Sequence, residues 1–80
     1  MRDELRRYLL EQLRTTDKPL DARELAERTM RKEGQEPTDR ELRNRMMKRV
    51  GQCLRLLRRQ RAAVSSYNEH GYFVWELTRT

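Results

Sequence analysis

Between Arg43 and Arg61 the chain carries eight basic side chains and no acidic one, and the same stretch repeats apolar residues at helical spacing. Leu42, Met46, Val50, Cys53, Leu54 and Leu57 return every three or four positions, the mark of one buried helical face. Turning about 100° per residue from Leu42 gathers them between roughly 0° and 120° on a helical wheel. Arg40, Arg58, Asn44, Arg55, Lys48, Arg59, Glu41, Gln52 and Arg45 then fall between roughly 160° and 300°. Leu56 and Met47 flank the apolar stripe. The segment therefore has two faces with opposite demands: the rest of the chain must cover one, and the other must stay in water. Pro37 followed by Thr38-Asp39-Arg40-Glu41 reads as a helix start with a full capping box. A helix from Thr38 to about Gln60 is expected, ~33 Å long at 1.5 Å per residue. Arg43 and Gln60 lie on the apolar side near its ends, where a long side chain reaches water. Gly51 sits in the polar face, where glycine costs up to ~1 kcal/mol relative to alanine. It marks either a kink or the close approach of a backbone or phosphate.

Charge is concentrated in that helix. Residues 1–37 hold nine basic and nine acidic side chains, residues 38–61 hold nine and two, and residues 62–80 hold one and two. The net +6 of the chain is thus the +7 of one segment, the footprint of a face that meets a polyanion. Sixteen of the nineteen basic residues are Arg, whose fork suits phosphate and guanine. Eighty residues bound the chain to one domain spanning 1–80. So small a domain buries about 60% of its unfolded surface, which leaves a thin stability margin and makes a homodimer an expectation. The longest apolar run is Tyr72-Phe73-Val74-Trp75, too short for a membrane span or a signal-peptide core. One cysteine, Cys53, forms no internal disulfide, which fits a reducing, cytoplasmic setting. One His and one Cys supply neither a structural zinc site nor a hydrolytic triad. No cofactor, metal or small-molecule ligand is expected.

The remaining segments supply the cover. Asp3 to about Thr15 reads as an amphipathic helix with Leu5, Leu9 and Leu13 every four residues, Tyr8 and Gln12 alongside, and Asp3 as its cap. Pro19 ends the break that follows. Asp21 and Glu24 form a capping-box-like pair at the start of a second helix, with Leu20 and Leu25 in the staple positions. Leu25, Ala26, Thr29 and Met30 continue its stripe, and Gly34 terminates it. The C-terminal part reads as a hairpin of 62–67 and 72–78 around Asn68-Glu69-His70-Gly71. Pairing Tyr67 with Tyr72 also pairs Ser66 with Phe73, Val64 with Trp75 and Ala62 with Leu77. The expected core is Leu5, Leu9, Leu25, Leu42, Met46, Val50, Leu54, Leu57, Val64, Phe73, Trp75 and Leu77. Leu10, off the stripe of the first helix, is the candidate dimer contact.

Helix, helix, helix, two-stranded hairpin is the order of a winged helix-turn-helix domain. Leu20 to Arg28 resembles that family's first motif helix, Arg49 to Gln60 followed by Val64 resembles its recognition helix running into the wing, and Gly71 to Leu77 resembles the second wing strand. The resemblance spans Asp3 to Leu77. It implies a mainly α fold with a small two-stranded wing, double-stranded DNA as partner, and transcriptional regulation as the setting. It also implies that the third helix enters the major groove while the wing lies along the backbone or minor groove. Three features depart from the family pattern: a longer link before the third helix, an N-terminal extension of that helix over 39–45, and Arg61-Ala62-Ala63 where a glycine-led turn is usual.

On that reading Arg45, Lys48 and Gln52 are the base-edge candidates, with Asn44 beside them, since Arg, Lys, Asn and Gln read base edges in the major groove. Arg55, Arg58 and Arg59 are phosphate candidates, joined by Arg49 at the border of the stripe. Asn68 and His70 form the wing tip, where Glu69 repels phosphate. Tyr67 and Tyr72 read as a cross-strand pair, and no exposed aromatic platform for single-stranded bases is expected. The alternative is a protein-interaction winged helix whose basic face docks on an acidic partner. No nucleophile–base pair or phosphate loop supports an enzyme.

Overall fold

Caps, apolar spacing and turns lay out six elements in the computed structural model, which describes residues 2–78 and the side chains of 4–78. These are helix α1 (Arg2–Thr15), strand β1 (Leu20–Asp21), helix α2 (Ala22–Lys32), helix α3 (Arg40–Arg59), and strands β2 (Ala63–Tyr67) and β3 (Phe73–Leu77). The result is mainly helical, three helices on a small antiparallel sheet. The Asp3 side chain, expected as the cap of α1, lies outside the described side chains. Leu9 and Leu13 of α1 are buried and Leu5 is half-buried. Leu10, expected to face a second copy, packs half-buried against the core. The Tyr8 hydroxyl donates to the Arg28 carbonyl at 3.2 Å, and the Arg28 guanidinium donates to Gln12 Oε1 at 3.0 Å, tying α1 to α2.

The start of α2 follows the sequence. Asp21 Oδ1 accepts from the Glu24 N–H at 2.7 Å, and Leu20 and Leu25 are buried on either side of the cap. The start of α3 lies one residue later than the expected box. Asp39, not Thr38, accepts from the Leu42 N–H at 3.2 Å. A carboxylate is the better partner for the positive end of a helix, and Glu41 turns outward to Arg45 instead. Met46, Val50, Leu54 and Leu57 are buried beneath α3, with Leu42, Met47 and Cys53 half-buried at the edges.

Helices α2 and α3 end in the same device. The Gln35 N–H bonds the Met30 carbonyl at 2.8 Å and the Gly34 N–H bonds Arg31 at 3.1 Å. Correspondingly, Ala62 bonds Leu57 at 2.8 Å and Arg61 bonds Arg58 at 3.0 Å. Both are Schellman closures, which need a left-handed residue after the cap. Gly34 meets that need with φ 75°, whereas Arg61 adopts φ 63° with a side chain attached.

The sheet differs from the expected hairpin in two ways. It has three strands in the order β1-β3-β2, with Leu20 opposite Trp75 and Asp21 opposite Val74. The β2–β3 register is also shifted by one: Tyr67 pairs with Phe73, Ser65 with Trp75 and Ala63 with Leu77. The loop explains the shift. The Gly71 N–H bonds the Asn68 carbonyl at 3.0 Å, and the Asn68 N–H bonds the Tyr72 carbonyl at 2.9 Å. With Gly71 at φ 81°, this is a turn followed by a left-handed residue, a three-residue connection rather than four. One residue of slip reverses the faces of β2. Ala63 is therefore buried in place of Val64, which is 42% exposed, and Phe73 is 39% exposed at the rim. Val74 and Trp75 are both buried, and Leu77 is half-buried.

Replacing Arg61 with Gly is expected to stabilise the fold by about 1 kcal/mol, the approximate cost of a left-handed L-residue. Gly34→Ala should lose a similar amount, and urea denaturation at unchanged m-value measures both. Trp75→Ala should cost roughly 3–5 kcal/mol, enough to unfold a domain of this size, as circular dichroism would show.

Candidate nucleic-acid interface

The apolar stripe of α3 is fixed against the core, so its opposite face must look into solvent. Asn44, Arg45, Lys48, Gln52, Arg55 and Arg59 are all exposed there. Lys48, Gly51, Gln52 and Arg55, with Met47 at the edge, line a shallow open groove along the helix. Helix α3 runs unbroken across Gly51, so the glycine does not interrupt it. A Cβ at Gly51 would meet only Arg55 Nη1, at 3.4 Å, an ordinary contact with the end of a flexible side chain.

The charges of this face differ in kind from those of α2. Arg23, Arg28 and Arg31 of α2 are each paired with a glutamate one turn away, at 3.2, 2.8 and 3.7 Å. On α3, among the described residues, the ion pairing is Arg45 with Glu41 at 3.5 Å, between side chains 69% and 83% exposed, which carries little energy. Lys48, Arg55 and Arg59 keep their charge uncompensated.

Two of the expected phosphate contacts point elsewhere. Arg49 opens onto the seam with α1 and α2, beside Glu4, Tyr8, Lys32 and Glu33. Arg58 turns toward the hairpin: its Nη1 donates to Ser65 Oγ at 2.8 Å, and its guanidinium lies over the Trp75 ring at 5.2 Å. That role has no signal in helical periodicity, because it depends on which residue of β2 faces α3.

The hairpin tip also differs from expectation. Asn68 is half-buried, and its Oδ1 accepts from the His70 and Tyr72 N–H groups, both at 2.9 Å, so its carbonyl closes the loop. His70 is exposed beside the Glu69 carboxylate at 3.6 Å. Tyr72 stands in the loop, not opposite Tyr67. Tyr67 meets Phe73 edge-on with centroids 5.1 Å apart, and Phe73 meets Trp75 at 5.5 Å. Tyr67 is 73% exposed, so an exposed aromatic face exists where none was expected. An asparagine three residues before a glycine is the sequence signal that would have located it.

The cleft between the hairpin tip and α2 mixes signs, with Lys18, Arg28 and His70 beside Asp21, Glu24 and Glu69. Cys53 is half-buried; burial pushes its thiol pKa up, with the Arg6 charge pulling the other way. Among the described residues no cluster of His, Cys, Asp or Glu is suited to a metal ion, and no helix is long and apolar enough to cross a membrane. Compared with protein-family models, with curated proteins and with solved structures, the chain matches none.

Proposed function

We propose that the chain is a winged-helix module that binds double-stranded DNA, of the kind used in transcriptional regulation, with α3 in the major groove and the β2–β3 hairpin as its wing. The observation that carries this reading is the outer face of α3, where Lys48, Arg55 and Arg59 stand exposed without ion-pair partners. An isolated helix face of this width fits the major groove. Lys48 and Gln52, central on the face, would reach base edges, joined by Arg45 and Asn44 one turn nearer the N-terminus. Arg55 and Arg59 would hold phosphates and set register.

One feature favours a second reading. The hairpin tip presents Glu69, with a side chain 86% exposed, and no Lys or Arg between Asn68 and Tyr72. A tip of that composition suits an acidic partner protein docked on α3 alone, with the hairpin held away from any phosphate.

Titration against duplex DNA at several salt concentrations separates the two. Groove binding releases condensed counterions, so log affinity should fall against log salt with a slope of about −0.9 per phosphate contact. Arg59→Ala should weaken binding to all sequences alike and flatten that slope by about one contact. Lys48→Ala and Gln52→Ala should instead narrow the difference between preferred and random sites, by ~1–3 kcal/mol for a good base contact. A wild-type chain without salt-dependent affinity for duplex DNA would leave the basic face to an acidic protein.

A further inference from the structure

The alternation of the hairpin places Ser65, Tyr67, Phe73 and Trp75 on one face, the face over which Arg58 of α3 reaches. Their exposure rises toward the tip, from 4% for Trp75 to 39% for Phe73 and 73% for Tyr67. The three rings form an edge-to-face chain, with interplanar angles of 89° and 64°. Trp75 is locked in the core, Phe73 leans on Trp75, and Tyr67 leans on Phe73. The outermost ring is thus held in place with most of its surface open to water. A ring already ordered in this way loses little conformational freedom when something stacks on it.

The surroundings decide what that is. Arg58 lies one ladder pair inward, about 7 Å along the strands, with its guanidinium 5.2 Å from the Trp75 centroid. Arg55 and Arg59 lie beside Arg58 toward the outer face of α3, both exposed. The face therefore presents cations first and open rings beyond them, with no acidic residue among its strand positions. A strand of nucleic acid has the matching order, a phosphate backbone beside flat bases. Bases inside a duplex are stacked and cannot reach Tyr67, whereas an unpaired base can.

Resting on the DNA-binding reading of α3, we infer that the Tyr67–Phe73 face takes an unstacked base, so that the ligand best suited to the whole surface is a duplex continuing into a single strand. Helix α3 holds the paired part, Arg55 and Arg59 follow the backbone across the junction, and Tyr67 receives the first unpaired base.

The test uses the full chain and two fluorescently labelled DNAs of equal duplex length, one blunt and one extended by a short oligothymidine strand, with extensions of both polarities. Fluorescence anisotropy should show the extended form bound roughly ten-fold tighter, the effect of one stacked base. Tyr67→Ala should erase that gain, while Tyr67→Phe should keep it. Because Tyr67 is largely exposed, circular dichroism should show the alanine variant folded. Equal affinity for the blunt and extended forms overturns the inference even where the blunt duplex binds, as does a Tyr67→Ala chain that keeps the preference. A self-associated wild type that Tyr67→Ala renders monomeric also overturns it, by assigning the face to a second copy. Absence of salt-dependent binding to the blunt duplex, with the preference for the extended strand intact, overturns the duplex reading of α3 and leaves the base-stacking assignment standing.

Discussion

Trp75 is the residue on which the separate parts of the molecule converge. It sits in the central strand, opposite Leu20 of β1 on one side and Ser65 of β2 on the other. Its ring is 4% exposed, lies under Arg58 of α3 and supports Phe73. Through Leu20 it also meets the residue before the α2 cap, so the position of α2 and that of the hairpin are set against the same side chain. An indole of this size supplies more buried area than any neighbour in so small a core. Removing it would take from Leu20 its cross-strand neighbour in β1, a strand of two residues.

The helices divide the electrostatic work around that core. Helix α2 pairs its arginines internally: each of the three has a glutamate within one turn, Glu27 serving two of them. Helix α3 is arranged the other way, with Glu41 as its single glutamate. Residues 1–37 carry no net charge, so they add no opposing excess to the field of α3. The cost is mutual repulsion along one helix, which the burial of Met46, Val50, Leu54 and Leu57 must outweigh.

What could be read from the residues was whatever repeats over a helix. The stripe on α3 and its basic outer face occupy many turns, and Leu25, Ala26, Thr29 and Met30 are buried as their spacing requires. Features fixed by one or two residues were legible only in part. Leu20 and Asp21 were legible as a staple and a cap, and they are both of those things, but two residues cannot display the alternation of a strand. The α3 cap moved by one residue because Thr38 and Asp39 are both good acceptors and the sequence does not say which carries the extended backbone. Arg58 faced outward by periodicity, yet the hairpin folds back to meet it. Helical angles describe a helix in isolation and not what comes to stand beside it.

The hairpin shows how much depends on a single such choice. Counting its loop as four residues places Val64 in the core and opposes Tyr67 to Tyr72. The left-handed Gly71 makes the connection one residue shorter than that, and Asn68 fixes it with its own carboxamide oxygen. The strand β3 keeps its face, but β2 turns over. Ala63 then fits beneath α3 where a valine would have stood, Ser65 comes within reach of Arg58, and Tyr67 joins Phe73 and Trp75 on one side. The aromatic face and its contact with the basic helix are both products of that loop. The tip residues themselves, Glu69 and His70, take no part in either. The chemistry of this hairpin therefore lies in its flank, and the tip acts by setting the register that turns the flank toward α3.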